Sequence, residues 1–93
     1  MVRSFRDRDT ERGFQRRGSG RLPADVQRVA LRRLVMLDAA ETLADLRVPP
    51  GNRLEKLSGD REGEHGVPIN HRWRICFVWK EGDAHQVEIV DYH

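Results

Sequence analysis

The sequence predicts an α+β domain with the element order β-α-α-β-β-β-β, in which an antiparallel sheet packs against two N-terminal helices. Three observations support this fold class. Apolar residues recur at helical spacing in the first half of the chain, a Pro-Pro-Gly sequence then interrupts that pattern, and strand-like runs separated by turn residues follow it. A chain of 93 residues supplies one modest core, so residues 1–93 are predicted to form a single domain.

The first helix is predicted at residues 7–17, after a short extended segment at residues 1–5. Phe5 and Phe14 are its expected contacts with the core. The two glycines within residues 18–20 are predicted to end this helix, because glycine weakens helical structure and favours turns.

A second, amphipathic helix is predicted to begin at Pro23 and to continue to about Leu43. Proline suits the first turn of a helix, and the carboxylate of Asp25 favours its positive end. Residues at spacings of three and four form one face that is apolar up to its last member. This face contains Val26, Ala30, Leu34, Leu37 and Glu41. The sequence at residues 48–51, Val-Pro-Pro-Gly, ends the helical half.

Four strands are predicted in the second half, where the hydrophobic period changes to two. They occupy residues 52–57, 65–70, 73–80 and 84–90, with turns at residues 59–63 and 82–83. Pro68 cannot donate a backbone hydrogen bond, so it predicts an edge position or a bulge in the second of these strands.

The strand at residues 73–80 alternates most clearly. One face contains Trp73, Ile75, Phe77 and Trp79, and the other contains Arg74, Cys76, Val78 and Lys80. Burying the aromatic face against the helices turns Arg74 toward the opposite, open face of the sheet. An acid, a phenol and an imidazole follow the last strand, as Asp91, Tyr92 and His93. The sequence therefore predicts an anion-binding active site in which these side chains lie beside Arg74.

The basic residues are concentrated at the start of the chain, and most are arginine. Residues 1–33 hold ten Arg and four acids, whereas residues 34–93 hold seven Lys or Arg and eleven acids. The planar guanidinium group suits phosphate and carboxylate. One explanation is an anionic partner, either nucleic acid or an acidic protein. The other explanation of the excess of arginine is that the charged faces of the helices are exposed to solvent. Composition alone is compatible with both explanations.

The chain contains one cysteine, Cys76, which cannot form an internal disulfide. Its position in a strand-like run predicts a buried thiol and a reducing compartment. No apolar run approaches the ~20 residues that a membrane span requires, and the arginine-rich start is not followed by the apolar core of a secretory signal. We therefore expect a cytoplasmic protein that does not bind membranes.

No metal or cofactor is predicted. The histidines at positions 65, 71 and 85 lack metal-ligand spacing with one another and with Cys76. The sequence also contains no glycine-rich phosphate loop and no serine nucleophile elbow.

Four segments carry a resemblance to a known family. They are residues 49–54 (PPGNRL), 57–63 (LSGDREG), 73–77 (WRICF) and 87–93 (VEIVDYH). Together with length and element order, they make the chain similar to the HigB-type (host inhibition of growth) toxins of the RelE/ParE superfamily. The resemblance implies a bacterial type II toxin with a RelE-like, microbial-ribonuclease-type fold. Such toxins cut mRNA in the ribosomal A site, inhibit translation and growth, and are neutralised by a helix-turn-helix antitoxin whose complex with the toxin binds operator DNA.

The resemblance also implies which residues act in catalysis. They are Arg74, Asp91, Tyr92 and His93. In a metal-independent ribonuclease a guanidinium such as that of Arg74 binds phosphate oxygens, and a histidine such as His93 acts as general acid or base. Tyr92 is expected to stack on a base or to donate a hydrogen bond to phosphate, and Asp91 is expected to orient His93 or a nearby arginine.

The sequence departs from the family at several positions. Ser58 stands where members commonly carry lysine, and Glu55 stands where some carry histidine. Lys56 lies two residues from Ser58, hence on the same strand face, and we expect it to supply the missing charge. Residues 66–72 contain Pro68, whereas the family tends to have a regular strand with an arginine in this segment. Either a bulge or neutral change explains this difference. The expected RNA-binding residues are Arg16, Arg17, Arg53, Arg61 and Arg72.

Two other functions are compatible with the same superfamily. ParE-type members poison DNA gyrase by binding, without nuclease chemistry, and fold alone does not separate the two. A catalytically weak relative that binds only the antitoxin and its operator is the second alternative, and Ser58 is the reason to consider it.

Overall fold

Two helices and a four-stranded antiparallel sheet form the part of the chain that the computed structural model describes, which is residues 1–18, 20–47 and 53–91. The elements are α1 (Arg8–Phe14), α2 (Ala24–Ala39), β1 (Glu55–Lys56), β2 (His65–Pro68), β3 (Trp73–Lys80) and β4 (Asp83–Asp91), with 3₁₀ turns at Leu43–Arg47 and Gly59–Arg61. The strands follow the order β1-β2-β3-β4, and each is antiparallel to the next. The predicted α+β fold class is confirmed.

Helix α1 begins close to its predicted start and ends earlier than predicted. The carboxylate of Asp7 accepts a hydrogen bond from the backbone N–H of Thr10 at 2.8 Å, which satisfies one of the free donors at the helix N-terminus. The helix ends at Phe14 rather than at residue 17, because Arg16 takes a left-handed conformation with φ of 63°. The rings of Phe5 and Phe14 lie 5.6 Å apart and pack against the core, as predicted.

Helix α2 buries the predicted face but ends at Ala39 instead of near Leu43. The buried face consists of Val26, Ala30, Leu34 and Leu37. Glu41 lies beyond the helix and is exposed. The carboxylate of Asp45 accepts hydrogen bonds from the backbone N–H groups of Glu41 and Thr42 at 2.9 and 3.0 Å. These bonds give two backbone donors a partner outside the helix, so the chain enters a 3₁₀ turn.

The predicted first strand forms isolated parallel bridges with β4, rather than an antiparallel strand. Val2 bridges Ala84 and Phe5 bridges Val87. The ladder is interrupted because β4 contains an irregularity opposite Phe77, where Gln86 has a φ of 53°. The backbone N–H of that residue donates instead to Ser4 Oγ at 2.9 Å.

The core lies between the helices and one face of the sheet. On β3 the predicted alternation is confirmed, with Trp73, Ile75 and Phe77 buried and Trp79 half-buried against the core. Thr10 joins α1 to the sheet, because its buried hydroxyl accepts a hydrogen bond from the backbone N–H of Ile89 at 2.9 Å. No helix in the described ranges has the length and hydropathy needed to cross a bilayer.

The strands at the β1 edge are shorter than predicted. Strand β1 contains two residues, Glu55 and Lys56, whereas the prediction covers residues 52–57, of which residue 52 is not described. Strand β2 ends at Pro68 instead of residue 70. The backbone N–H groups of Ile69 and Asn70 both donate to the carbonyl oxygen of Trp73, so this segment forms a turn. Strand β4 extends one residue beyond the predicted 84–90 at each end.

Candidate active site

Arg74 lies on the face of the sheet that points away from the helices, as the alternation predicts. It is paired with Pro68 of β2 and Val90 of β4, between the buried residues Trp73 and Ile75. Its side chain is 20% exposed, so the guanidinium is partly withdrawn from water but accessible. We refer to this side of the sheet as the Arg74 face.

The Arg74 face is not open along its whole length, which corrects the prediction of an open face. Cys76 is on this face and is completely buried. The connection between β1 and β2 covers this side chain through Leu57. The cross-strand partner of Cys76 is Gly66, and Cδ2 of Leu57 lies 3.3 Å from the position that a Cβ atom on Gly66 would occupy. The predicted buried thiol is therefore confirmed, and burial raises the pKa of the Cys76 thiol.

Four charged side chains form an ion-pair network beside Cys76. Glu88 Oε1 lies 2.8 Å from Nη1 of Arg6 and 2.8 Å from Nη1 of Arg61. Glu64 Oε1 lies 3.1 Å from Arg61 Nη1 and 3.8 Å from Arg6 Nη1. The carboxylate side chains are only 11% and 12% exposed. The network joins the N-terminal segment, the Gly59–Arg61 turn and β4.

Arg61 belongs to this network, although the sequence predicts it to bind RNA. The hydrogen bond from Arg61 to Glu88 is the main cause that raises the pKa of the guanidinium. Burial opposes this effect, and smaller charge interactions, including that with Glu64, add to it. Both carboxylates already occupy one edge of the guanidinium. The RNA-binding role of Arg61 stays a prediction, and the contacts in the structure are those of a residue that stabilises the fold.

Arg74 reaches across the sheet toward Glu55 of β1. Its Nη1 lies 3.9 Å from Oε2 of Glu55, whose side chain is 47% exposed. The strand between them contributes Gly66, and a Cβ atom there would lie 3.6 Å from Cδ of Arg74. Because Gly66 has no side chain, the arginine lies over β2 and brings its guanidinium near β1.

A depression of 470 Å³ opens beside Glu55, where β2 turns into β3. Its lining consists of Arg33, Arg53, Glu55, Pro68, Ile69, Asn70 and His71. The turn that forms one wall is well fixed, because Asn70 Oδ1 accepts hydrogen bonds from the backbone N–H groups of Arg72 and Trp73, both at 2.8 Å. Cationic side chains beside the flat apolar surface of Pro68 suit a phosphate and a base, and the volume is in the usual range for small-ligand sites. We call this depression the Glu55 cleft.

Arg72 and Asp91 contact each other at the end of the sheet. Arg72 Nε donates a hydrogen bond to Asp91 Oδ2 at 2.9 Å, and its guanidinium lies 5.6 Å from the ring centre of Trp73. The cross-strand partner of Asp91 is Trp73, whereas that of Arg74 is Val90. Asp91 therefore occupies the alternate register position and contacts an arginine other than Arg74. Tyr92 and His93 lie outside the described residues.

The remaining predicted residues lie apart from Arg74. Lys56 is exposed, and its cross-strand partner is His65, which in turn pairs with Phe77. Because side chains alternate along β1, Lys56 points to the side of the sheet opposite Glu55 and the Arg74 face. Arg16 and Arg17 follow α1 and line depressions of the helical layer, with Leu31 among the neighbours of Arg16. Of the predicted RNA-binding residues, the structure places Arg53 in the Glu55 cleft.

Burial and, to a smaller extent, nearby positive charge lower the pKa of His65. Its ring stacks on Phe77 at 6.1 Å, and Nδ1 is buried with no hydrogen-bond partner in the part of the chain that is described. Desolvation, followed by the charges of Lys56 and Arg47, lowers the pKa of His65 below its ordinary value of 6.5.

The His65 environment predicts a loss of stability in mild acid. Below about pH 6.5 the unfolded chain binds a proton that the folded chain resists, so the free energy of unfolding should fall as the pH falls from 7 to 5. Urea denaturation of the wild type and of His65→Gln at both pH values measures this, and the variant should show the smaller fall. A matched His85→Gln variant should keep the wild-type dependence, and equal slopes for wild type and His65→Gln would contradict the prediction.

Sequence reasoning missed three residues of the site. Arg33 belongs to α2 and His71 to the β2–β3 turn, and neither occurs in a pattern that marks a site. Gly66 matters only because the Arg74 side chain crosses it. The signal that could have found them is the pairing of β1 with β2, which depends on long-range contacts. Within the described ranges no group of three or more His, Cys, Asp or Glu side chains could hold a metal ion.

The architecture and the site define a small α+β protein with a half-buried arginine on the exposed side of an antiparallel sheet. The same fold occurs in a chain of the YoeB-YefM complex from Staphylococcus aureus, with a TM-score of 0.61 and 16% identity over 100% of this chain and 98% of that chain. A likeness at this level of identity shows the fold alone.

Sequence comparison then shows the family. A family model described as "RelE-like toxin of type II toxin-antitoxin system HigB" matches residues 3–93. Toxin HigB-1 of Vibrio cholerae is 36% identical over 85 residues, covering 90% of both chains, and Endoribonuclease HigB of Proteus vulgaris is 33% identical over 94 aligned positions, covering all of both. The chain belongs to the HigB-like toxin family, which confirms the predicted resemblance.

Proposed function

We propose that this chain is a metal-independent endoribonuclease that cuts ribosome-bound mRNA, and so inhibits translation and arrests growth. The observation that carries the proposal is Arg74, which lies half-buried beside a cleft that contains two further arginines. A guanidinium in that position can bind two phosphate oxygens and stabilise the charge that develops during cleavage. The name of the Proteus vulgaris relative, Endoribonuclease HigB, supports the same chemistry.

The other catalytic roles follow from the family resemblance. His93 acts as general acid or base, Tyr92 stacks on a base or donates a hydrogen bond to phosphate, and Asp91 orients His93 or a nearby arginine. The hydrogen bond that Asp91 accepts from Arg72 supports the second of these roles for Asp91. Lys56, which is expected to replace the charge that Ser58 lacks, lies on the opposite face of β1 from Glu55, so its contribution to catalysis would have to come from long-range charge. The RNA-binding residues are Arg53 and Arg72 near the cleft, Arg61 beside the network, and Arg16 and Arg17 on the helical layer.

The partners follow from family membership. The toxin is neutralised by a cognate antitoxin of the helix-turn-helix type, and the complex of the two binds operator DNA. Residues 1–93 act as one toxin domain in the cytoplasm, where the ribosome and its mRNA are found. The Staphylococcus aureus structure with the same fold is a complex with a second protein, which supports the antitoxin.

Primer extension on an mRNA in a purified translation system tests the proposal. The reactions contain the wild type, an Arg74→Ala, His93→Ala double variant, or the wild type without ribosomes. Cuts that need ribosomes and disappear in the double variant are expected. Absence of cuts with the wild type would contradict the proposal, and a gyrase supercoiling assay would then separate a ParE-like poison from a relative that binds only its antitoxin.

A further inference from the structure

Gly66 lies within strand β2 at a position where the backbone does not require glycine. It is paired in unbroken register with Glu55 of β1 and Cys76 of β3. Its φ is outside the left-handed region that favours glycine. Glycine weakens a strand, and without a bulge it often marks a place where another group approaches closely. The space beside the Cα atom of Gly66 is therefore the feature to explain.

Two side chains and a carbonyl group surround this space. A Cβ atom on Gly66 would lie 3.3 Å from Cδ2 of Leu57, 3.6 Å from Cδ of Arg74 and 3.6 Å from the carbonyl oxygen of Ile75. The first distance is shorter than an ordinary van der Waals contact, and the other two are within contact range. The two γ carbons of a valine would extend roughly 1.5 Å beyond Cβ and would collide with these neighbours.

Arg74 is the neighbour that can move away from a larger side chain at position 66. Leu57 is 8% exposed, and its backbone N–H donates to the carbonyl oxygen of Glu64 at 3.0 Å, which fixes the connection between β1 and β2. The carbonyl group of Ile75 belongs to the backbone of β3. The side chain of Arg74 is 20% exposed and has several rotatable bonds, so other rotamers are open to it. A side chain at position 66 would therefore turn Arg74 away from β1.

We propose that Gly66 is a positioning residue for the phosphate-binding Arg74, an inference that rests on the proposed ribonuclease function. The space at Gly66 lets the arginine side chain cross β2 from its cross-strand partner Pro68 toward Glu55. Its Nη1 then lies 3.9 Å from Glu55 Oε2, beside the Glu55 cleft. A donor stabilises transition-state charge only when it is held in place, and a displacement of about 1 Å can cost roughly 10²-fold in rate.

The test measures single-turnover cleavage on programmed ribosomes at saturating toxin, for the wild type, Gly66→Ala and Gly66→Val. Gly66→Val should cut roughly 10²-fold more slowly. Gly66→Ala should lose less, because a methyl group stays in contact range of Arg74 and requires only a small shift of Leu57. Gly20→Ala and Gly20→Val are matched controls that should keep the wild-type rate, since no atom of the described chain lies within 4 Å of a Cβ atom there.

An Arg74→Ala background separates positioning of the arginine from a general loss of structure. The Gly66→Val, Arg74→Ala double variant should cleave at the same residual rate as Arg74→Ala, because no arginine is left to be displaced. If Gly66→Val slows cleavage by the same factor in both backgrounds, it acts on the fold and not through Arg74, and the proposal is wrong. Cleavage by Gly66→Val at the wild-type rate would also overturn it. Both results leave the ribonuclease function intact.

Urea denaturation of each variant shows whether the fold is retained. If Gly66→Val does not fold, Gly66→Ala takes its place in the two backgrounds, and equal rates for Gly66→Ala and the wild type overturn the role of Gly66. Absence of ribosome-dependent cuts with the wild type would overturn both the inference and the function on which it rests.

Discussion

Replacing Arg74 with alanine should lower the rate of mRNA cleavage by roughly 10²–10³-fold, the usual effect of removing one donor that stabilises transition-state charge. Arg74→Lys should give an intermediate rate, since lysine keeps the charge but cannot bind two phosphate oxygens at once. The measurement is the single-turnover rate on programmed ribosomes at saturating toxin. Saturation separates a loss of chemistry from a loss of ribosome binding.

Arg28→Ala is a matched control for this prediction, because Arg28 is an exposed arginine of α2 and not part of the Glu55 cleft. It removes the same charge from the helical layer and should retain the wild-type rate. If Arg74→Ala also cleaves at the wild-type rate, Arg74 is not the group that stabilises the phosphate.

Glu88→Ala should lower the free energy of unfolding by about 2–4 kcal/mol, because it removes one of the two nearly buried carboxylates that neutralise the guanidinium groups of Arg6 and Arg61. The side chain of Glu88 is 12% exposed, and both arginines approach the same oxygen at 2.8 Å. Chemical denaturation with urea at neutral pH measures the change.

Glu81→Ala removes an exposed glutamate from the β3–β4 turn and should change stability by less than ~0.5 kcal/mol. The Arg61→Ala, Glu88→Ala double variant should lose less than the sum of the single variants, since the two residues share one interaction. A Glu88→Ala protein as stable as Glu81→Ala would show that the network contributes no net stability.

Most of the fold could be predicted from periodicity and turn residues. Strand β3 has the predicted bounds, and the buried face of α2 is the predicted one, because burial of an apolar face requires a repeating pattern in the sequence. The end of α2 could not be predicted, since it depends on a side chain, Asp45, that captures backbone donors after the helix. The parallel bridges of residues 1–5 depend on a bulge at Gln86 that no local pattern indicates.

The site was predictable only in part. Alternation along β3 placed Arg74 correctly, because side-chain parity is a local property of a strand. The alternation of side chains along β3 did not predict the contact between Arg74 and Glu55. That contact requires the pairing of β1 with β2 and the absence of a side chain at Gly66. The ion pair of Arg61 could not be predicted either, because its carboxylate partner Glu88 is 27 positions away in the sequence.

The outer edge of β4 has consequences for how other proteins approach this toxin. Its backbone groups bond to residues 1–6 at Ala84 and Val87, while at Ile89 the N–H donates to Thr10 and the carbonyl accepts from Arg21. The opposite edge, β1, is two residues long. An incoming strand therefore finds little unpaired backbone among the described residues on either side of the sheet. A protein that binds this toxin therefore has to contact side-chain surfaces, or it has to displace residues 1–6 first.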